Sequence, residues 1–184
     1  LLMQALIASQ SRGAIMKVAF LDRDGVINVD NGYVHHRENF VFTEGCTEAL
    51  QLLEQKGFAL IIVTNQSGIG HNYYSEQDYQ QLTSWYREQL LQHGIAIAGI
   101  YHCPHAPEAL CDCRKPAPGL FLQAAAQHDI DFASSIMIGD KQSDAEAATA
   151  AGIRHSYLLG PACGASTKKQ PQYASLLDCV RNII

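Results

Sequence analysis

The stretch KVAFLDRDG, residues 17–25, decides the fold. A short apolar run, Val18 to Leu21, meets Asp22-Arg23-Asp24-Gly25 with no alternation of polar and apolar positions. Such a run marks a strand buried on both faces, as in a parallel sheet covered by helices. The pattern returns at residues 58–63 (FALIIV), which end on Thr64-Asn65-Gln66-Ser67-Gly68. It returns again at residues 135–138 (SIMI), which end on Gly139-Asp140-Lys141. Residues 95–102 and 153–159 are weaker strand candidates. Helical periodicity fills the intervals. Residues 45–56 put Cys46, Leu50 and Leu53 on one side and stop at Gly57. Ser75 with Asp78 is a variant capping box opening a longer helix, where Tyr79, Leu82, Tyr86 and Leu90 recur at helical spacing. Pro118 suits the first turn of a helix to about residue 128. Residues 143–151 are Ala-rich before Gly152, residues 160–172 read as loop, and 173–184 as a last helix. Strands alternating with helices predict a doubly wound, mostly parallel α/β sheet of Rossmann-like type. Ligands bind such sheets at the carboxyl ends of the strands, and that is where the three polar motifs fall.

The remaining bounds come from composition. The chain has 184 residues, 47% of them hydrophobic, with 13 basic and 18 acidic side chains for a net charge of −5. This is one globular domain with material for a core, and disorder along the whole chain is excluded. A deficit of Lys and Arg argues against a nucleic-acid partner. No apolar run approaches the ~20 residues of a membrane span. The expected setting is the cytoplasm, and the expected state a monomer. Residues 1–16 read as an extension outside the fold, with Met16 the natural start and residues 17–184 the single domain.

Each motif supplies a different chemical part. Asp22 and Asp24, at i and i+2 leaving a buried strand, point to one side of an extended chain. They repel each other unless a cation lies between them or one holds a proton. With a divalent ion, the first can attack as a nucleophile while the second carries a proton for a leaving group. Thr64 to Gly68 offers hydroxyl, amide and backbone N–H donors, a neutral phosphate cradle. Asp140, with Asp144 beyond it, can complete an oxygen-rich Mg²⁺ site. The adjacent cations Arg114 and Lys115 can neutralise a transferring phosphoryl group. Each motif alone is also an ordinary polar turn. Together, at three strand ends, they form a set.

There are six cysteines, and three of them, Cys103, Cys111 and Cys113, lie within eleven residues together with His105. Three thiolates and an imidazole make a complete tetrahedral zinc set, which leaves no open position and so implies a structural metal. Cys46, Cys163 and Cys179 are isolated and read as core or surface thiols.

DRDG, TNQSG, CRKP and GDK with a Cys₃His loop resemble the aspartate-based phosphatases of the haloacid dehalogenase superfamily. Within it, the D-glycero-D-manno-heptose-1,7-bisphosphate 7-phosphatases are most similar, over residues 17–159. The related histidinol-phosphate phosphatases share the zinc loop, but usually lack the VDxGY segment (residues 29–33 here) and the Ser after TNQ. The resemblance implies a haloacid dehalogenase fold with the zinc loop in place of a cap domain, and a small phosphorylated sugar as substrate. It makes Asp22 the nucleophile and Asp24 the acid/base. Mg²⁺ falls to the Asp22 carboxylate, the Asp24 backbone carbonyl and Asp140. Thr64 and Lys115 hold the phosphoryl oxygens and Lys141 supports Asp140. Arg114 contacts substrate away from the reacting phosphate, while Asp30, Asn31, Gly32 and Tyr33, with Asn65, Gln66 and Ser67, match substrate-binding segments. Histidinol phosphate or another small sugar phosphate is the alternative substrate. His71-Asn72 stands where the family commonly has Arg-Gly.

Overall fold

The structure is a computed structural model and describes residues 15–160 and 171–183. Six strands build one sheet: β1 (Val18–Leu21), β2 (Ala59–Asn65), β3 (Ile97–Cys103), β4 (Ile136–Gly139), β5 (His155–Leu159) and β6 (Gln172–Tyr173). Their order is β3-β2-β1-β4-β5-β6, and every pairing is parallel. Between them run α1 (Cys46–Gln55), α2 (Ser67–Gly70), α3 (Glu76–Gln92), α4 (Gly119–Gln127) and α5 (Gln142–Ala151), with α6 (Leu176–Ile183) closing the chain.

The unbroken apolar run of β1 is explained by its two neighbours across the sheet faces. Ala19 and Leu21 pack into one core with Leu50 and Leu53 of α1, Tyr86 of α3 and Val180 of α6. Val18 and Phe20 pack into the other with Phe121 of α4 and Ala147 of α5. All four residues of β1 are fully buried, so no polar residue is tolerated between them. Burying a side chain such as Phe20 or Leu21 stabilises by about 1.5–3 kcal/mol.

Strand order reverses beside β1, which has β2 on one side and β4 on the other. Such a switch point opens a crevice at the carboxyl ends of the strands. Asp22 leaves β1 there and Asp140 leaves β4 there.

The predicted capping box is present: the Asp78 N–H donates to Ser75 Oγ at 3.1 Å and the Ser75 N–H to Asp78 Oδ2 at 2.8 Å. Other boundaries differ. Pro118 is the N-cap of α4 rather than its first-turn residue. The last helix begins at Leu176 because Gln172 and Tyr173 pair with Leu158 and Leu159 as an edge strand. Two residues are too few to display a period of two. The sequence gives Ser67 and Gly68 to the cradle and predicts no helix over 67–70, where two of the four residues are glycine, a poor helix former. Met16 belongs to the fold, its N–H donating to the Asp129 carbonyl at 2.9 Å, so the boundary of the expected extension lies before it. The rest of that extension up to residue 14, and Cys163 with the remainder of the loop at 161–170, lie outside the described residues. Cys46 and Cys179 are buried core thiols. Among the described residues, no helix is long and apolar enough to cross a membrane.

Candidate active site

The end of β1 turns sharply enough to bring both motif aspartates to the crevice. The Asp22 N–H still donates to Ile138 of β4 at 3.0 Å, and the Gly25 N–H donates to the Asn28 carbonyl at 2.8 Å. Gly25 has φ +82°, and a Cβ built there would lie 2.6 Å from Asp140 Oδ2. Only glycine allows this turn and this approach of Asp140 together.

Lys115 is the cation at the floor. It is buried, with Nζ 3.0 Å from Asp22 Oδ1, 2.6 Å from Asp144 Oδ1 and 2.8 Å from the Val63 carbonyl. Asn65 at the end of β2 holds its backbone from both sides. Asn65 Nδ2 donates to the Lys115 carbonyl at 3.1 Å, and the Lys115 N–H donates to Asn65 Oδ1 at 3.0 Å. Burial alone would lower the Lys115 ammonium, but Asp22 and Asp144 more than offset it and the pKa is raised. Burial pushes the Asp22 carboxyl up to about 7; Lys115 opposes this, while Asp144, Asp24 and Asp140 add to it. Asp140 is raised as well, by burial first, with Lys141 opposing.

Asp22, Asp140 and Asp144 bring carboxylate oxygens within 4.8 Å of one another. Asp140 Oδ1 is buried with no partner among the described residues. An all-oxygen, acidic donor set with an unpartnered oxygen fits a hard divalent cation. Sequence spacing places Asp144 beyond Asp140 at that cation site and gives it no contact of its own. Its signal is its place in the first turn of α5, where its Oδ2 accepts from the Lys141 N–H at 3.0 Å.

A cleft of about 500 Å³ opens above these groups. Asp24, Asn65, Gln66 and Ser67 line it, together with Asp30, Gly32 and Tyr33. Arg114 lines it too, and its Nη1 is buried without a partner among the described residues. Lys141 Nζ lies 3.5 Å from both Asp140 Oδ2 and Asp30 Oδ2. Two expected contacts stand back from the cleft. Thr64 is 1% exposed, its Oγ1 taking a hydrogen bond from Gln66 Nε2 at 2.8 Å. Asn31 is exposed to solvent outside the lining. His71 stacks on Tyr73 at 5.3 Å, and Tyr73 meets Tyr33 edge-on at 4.8 Å, so an aromatic group extends from the rim.

The second donor set closes the loop before Arg114. Cys113 Sγ is 3.1 Å from Cys103 Sγ and 3.5 Å from Cys111 Sγ; Cys103 and Cys111 are 3.5 Å apart. His105 Nδ1 is 3.2 Å from Cys113 Sγ and 3.6 Å from Cys103 Sγ. A tetrahedron with metal–sulfur bonds of about 2.3 Å has edges of about 3.5–3.8 Å; the separations here, 3.1 to 3.6 Å, lie at or somewhat below that, and all four donor atoms fall within 4.8 Å of one another, a cluster of the size that a zinc ion could hold. α2 packs on this loop: a Cβ at Gly70 would lie 2.9 Å from the Pro104 carbonyl oxygen.

Comparison with known proteins gives the same picture. A HAD-hydrolase-like family model matches residues 112–174. The D-glycero-alpha-D-manno-heptose-1,7-bisphosphate 7-phosphatase of Photorhabdus laumondii is 47% identical over 151 residues, 78% of this chain and 82% of its own. The D-glycero-beta-D-manno-heptose-1,7-bisphosphate 7-phosphatase of Haemophilus ducreyi is 46% identical over 175 residues, 89% of this chain and 96% of its own. The crystal structure of D,D-heptose 1,7-bisphosphate phosphatase from B. bronchiseptica, complexed with magnesium and phosphate, superposes with a TM-score of 0.82 at 28% identity. That superposition covers 91% of this chain and 97% of the other. With an aspartate pair, a buried lysine and a Cys₃His loop carried at the strand ends of a parallel sheet, the chain belongs to the D-glycero-D-manno-heptose-1,7-bisphosphate 7-phosphatase family of the haloacid dehalogenase superfamily.

Proposed function

We propose that this phosphatase removes the 7-phosphate of D-glycero-D-manno-heptose 1,7-bisphosphate through a phosphorylated Asp22. The observation that carries the reading is the contact of Lys115 with both Asp22 and Asp144 in a buried floor beneath an open cleft. An Asp22 oxygen attacks phosphorus, the bond from phosphorus to the sugar oxygen breaks, and that oxygen takes a proton from Asp24. Water then attacks the aspartyl phosphate, passes its proton to Asp24 and releases inorganic phosphate. Lys115 neutralises the phosphoryl oxygens in both steps. Arg114, with its unpartnered nitrogen, binds an anionic or hydroxyl group farther out. Asp30 and Tyr33 contact the sugar, and Lys141 ties Asp30 to Asp140. Mg²⁺ would be held by Asp22 and Asp140, with the Asp24 backbone carbonyl, and Asp144 is close enough to add a ligand or orient one. When bound it supplies Lewis-acid charge neutralisation. The deciding assay is phosphate release from the α and β anomers of the heptose bisphosphate, with histidinol phosphate beside them. Faster turnover of histidinol phosphate than of either anomer would overturn the substrate.

Magnesium binding is expected to depend on pH through Asp22. With its carboxyl near 7 in the metal-free protein, Asp22 carries a proton below that pH, and the metal must displace it. Apparent Mg²⁺ affinity, measured calorimetrically, should weaken by up to about tenfold per pH unit below 7 and level off above it. An affinity flat from pH 5.5 to 8 would remove Asp22 from the ligand set.

Zinc at Cys103, His105, Cys111 and Cys113 has a structural part in this reading, since four donors exhaust a tetrahedron. About one zinc per chain is expected in protein purified without added metal. Cys111→Ser should loosen the loop that delivers Arg114 and Lys115, raising KM for phosphate esters and lowering the melting temperature. A folded, fully active protein without zinc would refute the role.

A further inference from the structure

Arg23 lies between the two motif carboxylates, and the reaction as described gives it no part. It is 1% exposed and has the largest volume among the fully buried side chains described. A guanidinium desolvated this far requires acceptors; Nε and Nη2 have them, while Nη1 is buried with no partner among the described residues. Nε donates to Asp24 Oδ2 at 3.2 Å and Nη2 to Asp24 Oδ1 at 2.8 Å. Nη2 also donates to the Val34 carbonyl at 2.7 Å. Asn28 Nδ2 adds a bond to Asp24 Oδ1 at 3.0 Å, and Gln66 Nε2 one to Oδ2 at 3.0 Å. A carboxylate has about four acceptor sites, so each site of Asp24 is occupied and the plane of the group is fixed.

We propose that Arg23 is the positioning residue of the proton-transfer group, its planar fork setting the plane of Asp24 and tying it to Val34, directly after the segment that carries Asp30 and Tyr33. The proposal rests on the phosphatase reading above. When Asp24 carries a proton, one donor must turn away. Gln66 Nε2 has a second acceptor in Thr64 Oγ1 at 2.8 Å and Asn28 Nδ2 one in the Val29 carbonyl at 2.9 Å, so one of these two amides is the donor that yields. Arg23 Nε has only Asp24 among the described residues, and the fork stays. A point charge cannot do the same work, because the lysine ammonium lacks the fixed two-pronged geometry.

The test compares wild type with Arg23→Lys on phenyl phosphate and p-nitrophenyl phosphate, with Mg²⁺ present. Phenolate is the poorer leaving group and needs the proton of Asp24; p-nitrophenolate departs with little help. Because kcat/KM covers only the steps up to formation of the aspartyl phosphate, the later base role of Asp24 does not enter. Both esters carry one aromatic ring, so a displaced 30–34 segment weakens them alike. The phenyl to p-nitrophenyl ratio of kcat/KM is expected to be at least about tenfold lower in Arg23→Lys than in wild type. A ratio preserved within about twofold, with both esters slowed equally, overturns the proposal and leaves Arg23 a core residue. If circular dichroism shows Arg23→Lys unfolded, Arg23→Gln carries the same comparison. Failure of wild type to hydrolyse either ester, or turnover of both by Asp22→Asn, strikes the phosphatase reading itself rather than Arg23.

Discussion

Asp22→Asn is expected to lose turnover by on the order of 10⁵-fold or more, while keeping its fold. The amide has the shape of the carboxylate and retains one oxygen to accept the Arg23 N–H, which Asp22 Oδ1 now takes at 2.7 Å. It cannot form the acyl phosphate. The stability change has a defined sign. Burial raises the folded Asp22 carboxyl to about 7, well above its value of about 3.9 in an unfolded chain. Ionisation therefore costs the metal-free folded state increasingly as pH rises between those values, and the cost is constant above 7. The asparagine variant has no such cost. Metal-free Asp22→Asn should be more stable than metal-free wild type above pH 7, and the difference should vanish as pH falls toward 4. With saturating Mg²⁺ the order should shift back, because wild type binds the ion and the variant binds it poorly. Urea melts at two pH values, with and without Mg²⁺, check the stability; phosphate release over many turnovers checks the chemistry. Sustained turnover by contaminant-free variant would end the nucleophile assignment.

The sheet was legible because β1, β2 and β4 are buried on both faces and so carry no polar interruption. Their carboxyl ends then announced the site, since a charged residue directly after a buried run has nowhere to lie but the crevice. That Cys103, His105, Cys111 and Cys113 form one cluster was legible from spacing alone. Elements with too few residues to display a period were not: β6 has two residues and α2 has four. Roles that depend on depth were also hidden. Thr64, read as a phosphate contact, is covered by Gln66. Asn65, read as cradle, spends both ends of its amide on the Lys115 backbone. Asp144 and Arg23 sit one or a few residues from the motif aspartates, and local sequence cannot tell a buried charge from a solvated neighbour. Only the packing of α3 and α5 against the strand ends makes that distinction.

Lys115→Met should be damaging in two separable ways. Methionine can follow the aliphatic stem, but it withdraws the only cation within ion-pair distance of Asp22 and Asp144 among the described residues. Removing one partner of a buried ion pair costs about 3–5 kcal/mol, because the remaining charge stays desolvated. Turnover should fall by about 10³-fold, as expected when a donor aimed at transition-state charge is lost from a dry site. Loss of activity in a destabilised protein would not by itself distinguish a catalytic lysine from a structural one. A double variant does. Lys115→Met with Asp144→Asn removes one of the two unpaired carboxylates along with the cation, so it should recover part of the stability lost by Lys115→Met alone. It should recover none of the turnover, since the phosphoryl oxygens still have no ammonium. If turnover returns in step with stability, Lys115 serves only to neutralise the floor, and the phosphoryl charge must be met elsewhere. Arginine is not an equivalent probe. Its guanidinium is larger than the space around a 3% exposed side chain, and overpacking would lower stability for a reason unrelated to charge.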